Sequence, residues 1–351
     1  MKKKVAITFP RVPFCSGGAE LHVANLRQKL IERGYNAEVI DIPFKWYPIH
    51  QLWEQMLMWK TIDLTEADGQ KIDILIGTKW PSYFAKHDNK ILWLIHQHRE
   101  AYDLVDADYS LFKEGTDGEK YLKGFRDADT KALKEAKKIF TISKNVSTRL
   151  ENYNGILSET LYHPPKHEGL YYNESFGDYI LSVGRLESLK RIDLLINAMK
   201  YTDKDVKCLI AGTGKSMDQL QLLITQNGLE DRVKLIGFVD DKELLRLYAN
   251  CFGVYFAPVD EDYGYITLEA FLSQKPVITA KDSGGVLEFA VHEKSGIVCA
   301  VEAMEIGEKI NELYYNKKRA QEMGICGYEA VKDISWDNAL DKLLYAAEKS
   351  V

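Results

Sequence analysis

The sequence predicts an α/β protein with two Rossmann-like, doubly wound parallel sheets, and three observations support this class. Short apolar segments alternate with longer amphipathic ones, which is typical of parallel strands joined by helices. The alternation stops at the double proline Pro164-Pro165 and then begins again. The length of 351 residues is enough for two domains that each bury a core.

The first half contains five apolar segments that we predict to be strands. The first, 5–9, is followed by a glycine-containing loop and a helix over 19–33, which Gly34 ends. The other predicted strands of this half are 37–40, 72–76, 91–95 and 139–142. Together they define a first domain over residues 1–165.

The second half repeats the pattern after a polar linker. Its predicted strands are 179–183, 206–211, 233–236, 254–257, 276–280 and 296–299. We therefore predict a second domain over 170–334, and a last helix over 335–350 that has the option of packing back on the first domain. Two doubly wound domains are expected to face a central cleft at the carboxyl ends of their strands, where such sheets bind ligands.

Composition excludes several classes of function. The net charge of -6 argues against nucleic acid as a partner. Five dispersed cysteines without a C-x-x-C pair predict reduced, mostly buried thiols rather than disulfides or a zinc site. With neither a signal peptide nor a transmembrane segment in the sequence, we expect a cytoplasmic protein, and peripheral contact with the inner face of a membrane stays open.

One stretch near the fourth strand of the second half carries two carboxylates eight positions apart, Glu261 and Glu269. A helix that begins near Gly264 would leave Glu261 in the preceding loop and place Glu269 inside the helix. Carboxylates accept hydrogen bonds from vicinal hydroxyls, and a helix N-terminus favours phosphate. The stretch therefore predicts a nucleotide-sugar site, whereas Asp260 and Asp262 are interpreted as helix caps.

Further candidates follow other strands of the second half. Arg185 and Lys190 form a cationic pair suited to a diphosphate, although two surface cations would look the same in the sequence. Gly212 and Gly214 lie in a tight turn between a strand and a helix, which is common with or without a ligand. Phe238 is consistent with contact to a base or with a place in the core.

Taken in order, these features resemble the donor domain of the family-4 retaining glycosyltransferases, which have the GT-B fold. The resemblance is carried by Gly184-Arg185 with Lys190, Gly212-Thr213-Gly214, Gly237-Phe238, Glu261 with Glu269, and Gly284-Gly285 with Glu288. In the first half it rests on Gly17-Gly18-Ala19-Glu20 and on His96.

The resemblance implies roles for the charged residues. Glu269 would hold the ribose hydroxyls of a nucleoside diphosphate sugar, and Glu261 the hydroxyls of the donor sugar. Arg185 and Lys190 would neutralise the diphosphate. His96 would contact the donor sugar from the first domain.

The resemblance also implies that backbone segments approach the donor. Gly17, Gly18 and Gly285 would lie against its phosphates and sugar. The remaining expected donor-binding residues are Gly212, Gly214 and Phe238. His98 is an alternative to His96 for the contact with the sugar.

The implied reaction transfers a sugar to a saccharide or lipid-linked acceptor with retention of anomeric configuration. A UDP-sugar is favoured as donor and a GDP-sugar stays open, while surface polysaccharide or glycolipid assembly is the expected setting. No cofactor and no essential metal are expected, because the Asp-x-Asp pattern at 260–262 recurs at 106–108 and 127–129 and is therefore unspecific.

Residues 44–59 are rich in aromatic side chains. Leu52, Met56 and Leu57 have helical spacing there, which predicts packing in the core. The alternative is an aromatic surface that contacts a lipid-linked acceptor or a membrane.

Other functions are compatible with the same fold. A nucleotide-sugar epimerase would release an altered sugar without an acceptor, and a non-catalytic nucleotide-sugar-binding protein would have no need of the whole charged set. An NAD-linked dehydrogenase is disfavoured because no G-x-G-x-x-G follows the first strand.

Overall fold

The computed structural model describes residues 2–15 and 17–348, which form two α/β units. Unit 1 contains the chain up to Lys166 together with the segment that begins at Trp336. Unit 2 runs from His167 to Ser335. Residues 349–351, which include the end of the predicted last helix, lie outside the described residues.

The strands alternate with helices along both units. The strands are β1 (Lys4–Arg11), β2 (Asn36–Pro43), β3 (Glu66–Ala67), β4 (Gln70–Lys71), β5 (Ile74–Gly77), β6 (Lys90–Leu94), β7 (Lys138–Thr141), β8 (Glu159–Thr160), β9 (Tyr179–Val183), β10 (Lys207–Ala211), β11 (Val233–Gly237), β12 (Gly253–Tyr255), β13 (Val277–Ala280) and β14 (Gly296–Cys299). The helices are α1 (Gly18–Glu32), α2 (His50–Thr61), α3 (Leu122–Lys134), α4 (Lys144–Asn154), α5 (Ile192–Ala198), α6 (Met217–Gln226), α7 (Asp241–Asn250), α8 (Tyr265–Leu272), α9 (Ala303–Tyr315), α10 (Lys317–Val331) and α11 (Trp336–Glu348).

The main sheet of unit 1 has six parallel strands in the order β2-β1-β5-β6-β7-β8. In its centre Val5 lies opposite both Ala37 and Ile74. The central strands are continuous apolar runs, as expected for a parallel sheet that helices cover on both faces. Strand order reverses at β1 and β5, so the carboxyl ends of these strands are where a ligand crevice is expected.

Helix α11 packs on unit 1 through a buried aromatic cluster. The Trp336 ring lies 5.8 Å from that of Trp93 in β6, and the rings of His22 and His163 are 4.2 Å apart beside them. Burial lowers the pKa of His22 to about 3, so this imidazole is neutral at physiological pH. The last helix thus completes the hydrophobic core of unit 1.

Helix α2 confirms part of the expected core packing of residues 44–59. Leu52 and Met56 are buried, together with Trp59. The prediction for Leu57 is wrong, since this side chain is 62% exposed. Leu57 follows Met56 directly and therefore lies about 100° further round the helix, outside its buried stripe.

The sheet of unit 2 also has six parallel strands, in the order β11-β10-β9-β12-β13-β14. Ile180, Ile210, Ile278 and Ile297 are completely buried within its core. The order reverses between β9 and β12, which are hydrogen-bonded neighbours. The two doubly wound sheets confirm the predicted fold class.

Some short elements differ from the sequence prediction. The antiparallel pair β3 and β4 and the edge strand β8 have two residues each and were not predicted. Strand β12 ends at Tyr255, two residues before the predicted end. Two-residue strands carry no periodicity of hydrophobic residues, so pattern analysis cannot detect them.

None of the described helices has the length and apolar character needed to cross a membrane. The longest of them, α1 and α10, have 15 residues each. A helix needs about 20 mainly apolar residues to span a bilayer.

A buried carboxylate lies between the helices and the sheet of unit 1. Asp129 of α3 accepts hydrogen bonds from the hydroxyls of Tyr83 at 2.6 Å and Tyr102 at 2.5 Å. Asn154 of α4 donates to the Tyr102 oxygen at 3.2 Å. Burial raises the pKa of Asp129 to about 6, although both phenol hydrogen bonds favour the charged form.

We predict that Asp129→Asn removes a pH-dependent part of the free energy of unfolding. The folded-state pKa of about 6 exceeds the ordinary value of 3.8, so the native state holds the proton more tightly. The contribution of Asp129 to stability is therefore fully present below the ordinary value and falls as pH rises through the folded value. Urea denaturation at pH values between the ordinary pKa of 3.8 and the folded-state pKa of about 6 should show the parent losing stability relative to Asp129→Asn as pH rises.

Asp127→Asn is the matched control, because Asp127 lies on the same helix and is exposed. It reports what the exchange of a carboxyl for an amide does at an exposed position of α3. An equal dependence on pH for Asp129→Asn and Asp127→Asn would contradict the prediction.

Candidate functional site

The loops that follow β9 and β12 lie side by side, because these strands are neighbours at the point where strand order reverses. In doubly wound sheets, ligands bind outside the carboxyl ends of the strands at such a reversal. One loop carries Lys190 and the other Glu261. The topology therefore brings together two predicted site residues that are far apart in the sequence.

Lys190 and Glu261 form a hydrogen-bonded ion pair. Their side chains are 19% and 25% exposed, so solvent screens the pair less than it would a surface pair. The Lys190 ammonium also lies 5.5 Å from the centroid of the Phe256 ring. The two charges neutralise each other at the sheet edge.

Arg185 is more loosely held than Lys190. Its guanidinium lies 3.1 Å from a carboxylate oxygen of Glu187, and its side chain is 59% exposed. Exposed pairs of this kind contribute little to stability. The guanidinium can therefore turn toward a ligand at low cost.

Arg191 connects the two loops through contacts that the sequence analysis does not predict. Its guanidinium donates to both carboxylate oxygens of Asp282 at 2.6 Å, and this pairing lowers the pKa of Asp282. The Asp260 N–H donates to the Asp282 carbonyl oxygen at 2.9 Å. The Tyr255 hydroxyl donates to the Arg191 carbonyl oxygen at 3.0 Å. Arg191 thus fixes the loop that contains Lys190 relative to the loop that contains Glu261.

Gly285 lies against the backbone of the loop that carries Glu261. Its N–H donates to the Glu261 carbonyl oxygen at 2.7 Å, and a Cβ added to Gly285 would lie 2.6 Å from the Asp262 carbonyl oxygen. A side chain here would push the two segments apart. Glycine at this position is therefore required by the local packing.

The N-cap position of α8 is occupied by Gly264, with a φ of +84°, rather than by Asp260 or Asp262. The interpretation of these two aspartates as helix caps stays a prediction. Asp260 has a φ of +39° and joins the loop to Asp282 through its backbone. The turn that begins α8 depends on glycine, because few other residues adopt this left-handed conformation.

Glu269 lies in α8, as the sequence predicts, and its carboxylate is partly buried. The hydroxyl of Tyr248, in α7, donates to its Oε2 at 2.7 Å. Burial raises the pKa of Glu269, whereas the nearby hydroxyls of Tyr248 and Tyr171 oppose this shift. Neither tyrosine is predicted from the sequence, where nothing links α7 to Glu269.

Gly212 and Gly214 allow two backbone segments to approach closely. A Cβ at Gly212 would lie 1.8 Å from the Gly184 carbonyl oxygen, and one at Gly214 would lie 2.3 Å from that of Leu186. The Leu186 N–H donates to the Thr213 carbonyl oxygen at 2.9 Å. Local packing thus requires both glycines, whether or not a donor binds beside them.

Phe238, which directly follows β11, is 83% exposed. Its predicted alternative place in the core is therefore wrong. An exposed aromatic ring after a strand of this sheet is available to a ligand, and its contact with a base stays a prediction.

In unit 1, the predicted glycines lie at the start of α1. Gly17 is the N-cap and Gly18 the first helical residue. His96 follows β6 and is partly exposed, with its Nδ1 2.6 Å from the Gln97 carbonyl oxygen. His98 differs, since it is buried against Trp80 at 4.9 Å between ring centroids.

Burial lowers the pKa of His98 to about 3, with a smaller contribution from His96. His98 is therefore a neutral ring within an aromatic cluster. Of the two histidines, His96 has the ring that a ligand can reach.

Lys79 is a candidate site residue of unit 1 that was not predicted from the sequence. It follows β5 at the strand reversal of unit 1, is only 8% exposed, and has no hydrogen-bond or ion-pair partner among the described residues. Its ammonium lies 4.6 Å from the centroid of the Phe9 ring. Burial lowers its pKa, and the carboxylate of Glu20 opposes this shift. A lysine placed directly after a buried strand is the signal that would have indicated it.

In the part of the chain that the structure describes, no three or more His, Cys, Asp or Glu side chains are grouped so as to hold a metal ion. The cysteines are free thiols, and Cys208, Cys251 and Cys299 are buried.

Comparison with known proteins addresses both the fold and the family. Over 99% of this chain, the fold is similar to sucrose-phosphate synthase from Thermosynechococcus elongatus, with a TM-score of 0.80, 16% identity and 100% of that chain covered. It is also similar to HepE of Anabaena in complex with UDP and glucose, with a TM-score of 0.72, 18% identity and coverage of 99% and 100% of the two chains. Residues 174–330, within unit 2, match the family model of the glycosyl transferases group 1. The comparisons support a GT-B glycosyltransferase.

Two relatives by sequence agree with this glycosyltransferase assignment. An uncharacterized glycosyltransferase of Methanocaldococcus jannaschii is 27% identical over 331 residues, which cover 84% of each chain. The alpha-1,3/1,6-mannosyltransferase ALG2 of Homo sapiens is 28% identical over 182 residues, or 47% of this chain and 44% of that protein. The match to ALG2 therefore spans less than half of either protein.

We predict that Gly214→Ala destabilises the protein by about 1–3 kcal/mol, because its Cβ would collide with the Leu186 backbone. Urea denaturation measures this change. Gly253→Ala is the control, since a Cβ there would lie 3.5 Å from its nearest neighbour, which is ordinary contact. If Gly214→Ala kept the stability of the parent but lost nucleotide binding, ligand contact rather than packing would explain Gly214.

Proposed function

We propose that this glycosyltransferase moves a sugar from a nucleoside diphosphate sugar to a saccharide or lipid-linked acceptor, with retention of anomeric configuration. The observation that carries the proposal is the Lys190–Glu261 ion pair at the strand reversal of unit 2. Helix α8, which carries Glu269, begins directly after the same loop. One sheet edge therefore offers cations for a diphosphate and carboxylates for two sets of hydroxyls.

The cations act on the leaving group. Cleavage of the bond between the sugar and the diphosphate builds negative charge on the phosphate oxygens. Lys190 and Arg185 stabilise this charge, and the N-terminus of α8 adds backbone N–H groups. The diphosphate competes with Glu261 for Lys190, so donor binding exchanges one partner of this ammonium for another.

The carboxylates bind the hydroxyls of the donor. When the diphosphate has replaced Glu261 as the partner of Lys190, Glu261 accepts hydrogen bonds from the hydroxyls of the donor sugar. Glu269 accepts hydrogen bonds from the ribose, since its carboxylate is anchored by Tyr248 and has further lone pairs. The exposed ring of Phe238 contacts the base.

Retention follows from attack on the same face of the sugar that the diphosphate leaves. The leaving phosphate accepts the proton of the attacking acceptor hydroxyl, so neither glutamate is needed as a covalent nucleophile. This use of carboxylates differs from that in retaining glycosidases, where one of them forms a covalent intermediate.

The donor proposed first is a UDP-sugar, and a GDP-sugar is the second choice. The complex of HepE with UDP and glucose supports the first choice. Surface polysaccharide or glycolipid assembly is the proposed setting, on the cytoplasmic side of a membrane. The exposed side chains of Tyr47 and Leu57 would support peripheral membrane contact.

We predict that Lys190→Ala and Glu269→Ala each weaken donor binding by about 10- to 100-fold, because each removes a hydrogen bond in which the protein side chain is charged. Isothermal titration with UDP-glucose and GDP-mannose measures this loss. Lys200→Ala, at an exposed lysine of the same unit, is the control and should bind like the parent. Variants that bound and turned over donor as well as the parent would show that the donor site lies elsewhere.

We further predict that the enzyme needs no metal ion, because protein cations neutralise the diphosphate. Release of nucleotide from the donor should continue at the parental rate in excess chelator. A loss of activity that manganese restores would contradict the metal-independent mechanism.

A further inference from the structure

The carboxylate of Glu269 is held from outside its own helix. The hydroxyl of Tyr248 donates to Oε2 at 2.7 Å, and Tyr248 is completely buried in α7. Because a buried phenol has a defined rotamer, this hydrogen bond fixes the direction of the carboxylate as well as its position.

A second phenol lies beside the same carboxylate. The Tyr171 hydroxyl is buried close to Glu269, although it does not reach hydrogen-bonding geometry. The rings of Tyr171 and Tyr248 pack edge to face at 6.2 Å. Behind Tyr171, His167 pairs with Asp241 at 3.1 Å. The phenols thus come from two different segments of unit 2.

We propose that Tyr248 is a positioning residue for donor binding, whose hydroxyl orients the carboxylate of Glu269 toward the ribose. Tyr171 supports it from the other segment. This inference rests on the proposed function, in which Glu269 binds the ribose of the donor.

The count of hydrogen-bonding sites is consistent with this role. A carboxylate has about four lone-pair positions, and Tyr248 occupies one of them. Even with a second phenol in place, two positions would remain, which matches the two vicinal hydroxyls of a ribose. The hydrogen bonds from the phenols therefore leave enough acceptor positions on Glu269 for both ribose hydroxyls.

The surroundings of Glu269 explain why such support is needed. Burial raises the pKa of Glu269, and the phenols of Tyr248 and Tyr171 lower it. The third group that faces the carboxylate is Tyr265, on the same helix, whose own pKa is raised by burial and by Glu269. The pKa of Glu269 is lowered by the two phenols of Tyr248 and Tyr171 and not by a cation, so these phenols are the groups that favour its charged form.

Loss of the Tyr248 hydroxyl should therefore move the pH range in which the donor binds. Binding to an ionised Glu269 is lost as pH falls through its folded-state pKa, and Tyr248→Phe raises that pKa. For Tyr248→Phe we expect the acid limb, which is the decline in donor affinity at low pH, to lie about one pH unit higher than in the parent. Near pH 8 the loss of affinity relative to the parent should be smaller.

The experiment measures the affinity for UDP-glucose and GDP-mannose from about pH 5 to pH 8 by isothermal titration, for the parent, Tyr248→Phe and Tyr179→Phe. Both probes keep their diphosphate charge over this range. Tyr179→Phe is the matched control, because the Tyr179 hydroxyl donates at 2.8 Å to the Leu247 carbonyl oxygen of α7 and not to Glu269. Thermal denaturation without ligand reports whether each variant is folded.

A shifted acid limb for Tyr248→Phe alone supports the inference. Equal acid limbs for the parent and Tyr248→Phe overturn it while leaving the proposed function standing. If the parent binds neither nucleotide sugar, the proposed function fails, and the inference fails with it. A Glu269→Gln variant should bind weakly at every pH without an acid limb, and a persisting limb in that variant would also overturn the inference.

Discussion

The reversal of strand order at β9 and β12 is the constraint on which the proposed donor site depends. Parallel strands present their carboxyl ends at one edge, so the loops that follow them converge only if the strands are neighbours. Lys190 and Glu261 meet for this reason, although the chain between them forms α5, β10, α6, β11, α7 and β12. The helices and the remaining strands hold β9 and β12 in register, and the site uses the space between their ends.

Charge at this edge is balanced within the protein. Lys190 is neutralised by Glu261, and Arg191 by Asp282, while Glu269 relies on phenols rather than on a cation. These three arrangements differ in what a ligand can replace. The Lys190 pair is open to exchange with a phosphate, whereas the bidentate Arg191 pair also holds backbone segments together. The carboxylate of Glu269, which relies on phenols, stays available for the neutral hydroxyl groups of a ligand.

The sequence was sufficient to predict most of the fold, because long apolar runs and glycine or proline punctuation report strands and helices directly. It also located Glu261 in a loop and Glu269 in a helix. It did not predict Arg191, Tyr248 or Lys79. Their significance depends on partners or burial that only the tertiary structure defines, such as a carboxylate 91 positions away for Arg191. Spacing within one element carries no information about such contacts.

The same limit applies to local patterns that have two physical explanations. Asp260 is of a residue type that often caps helices, but the N-cap position of α8 is occupied by Gly264. Gly212 and Gly214 resemble a ligand loop, and the structure adds that both lie against the backbone of a neighbouring loop. Only the distances between segments that are far apart in the sequence reveal such contacts.

The return of α11 to unit 1 has a consequence for how the chain folds during synthesis. Unit 2 is continuous from His167 to Ser335, so its core needs no segment from elsewhere in the chain. Unit 1 does need one, because Trp336 of α11 follows the whole of unit 2 in the sequence and packs against Trp93 and His22. The core of unit 1 therefore closes only after the entire unit 2 has been synthesised, and it depends on the contacts with the longest separation in sequence.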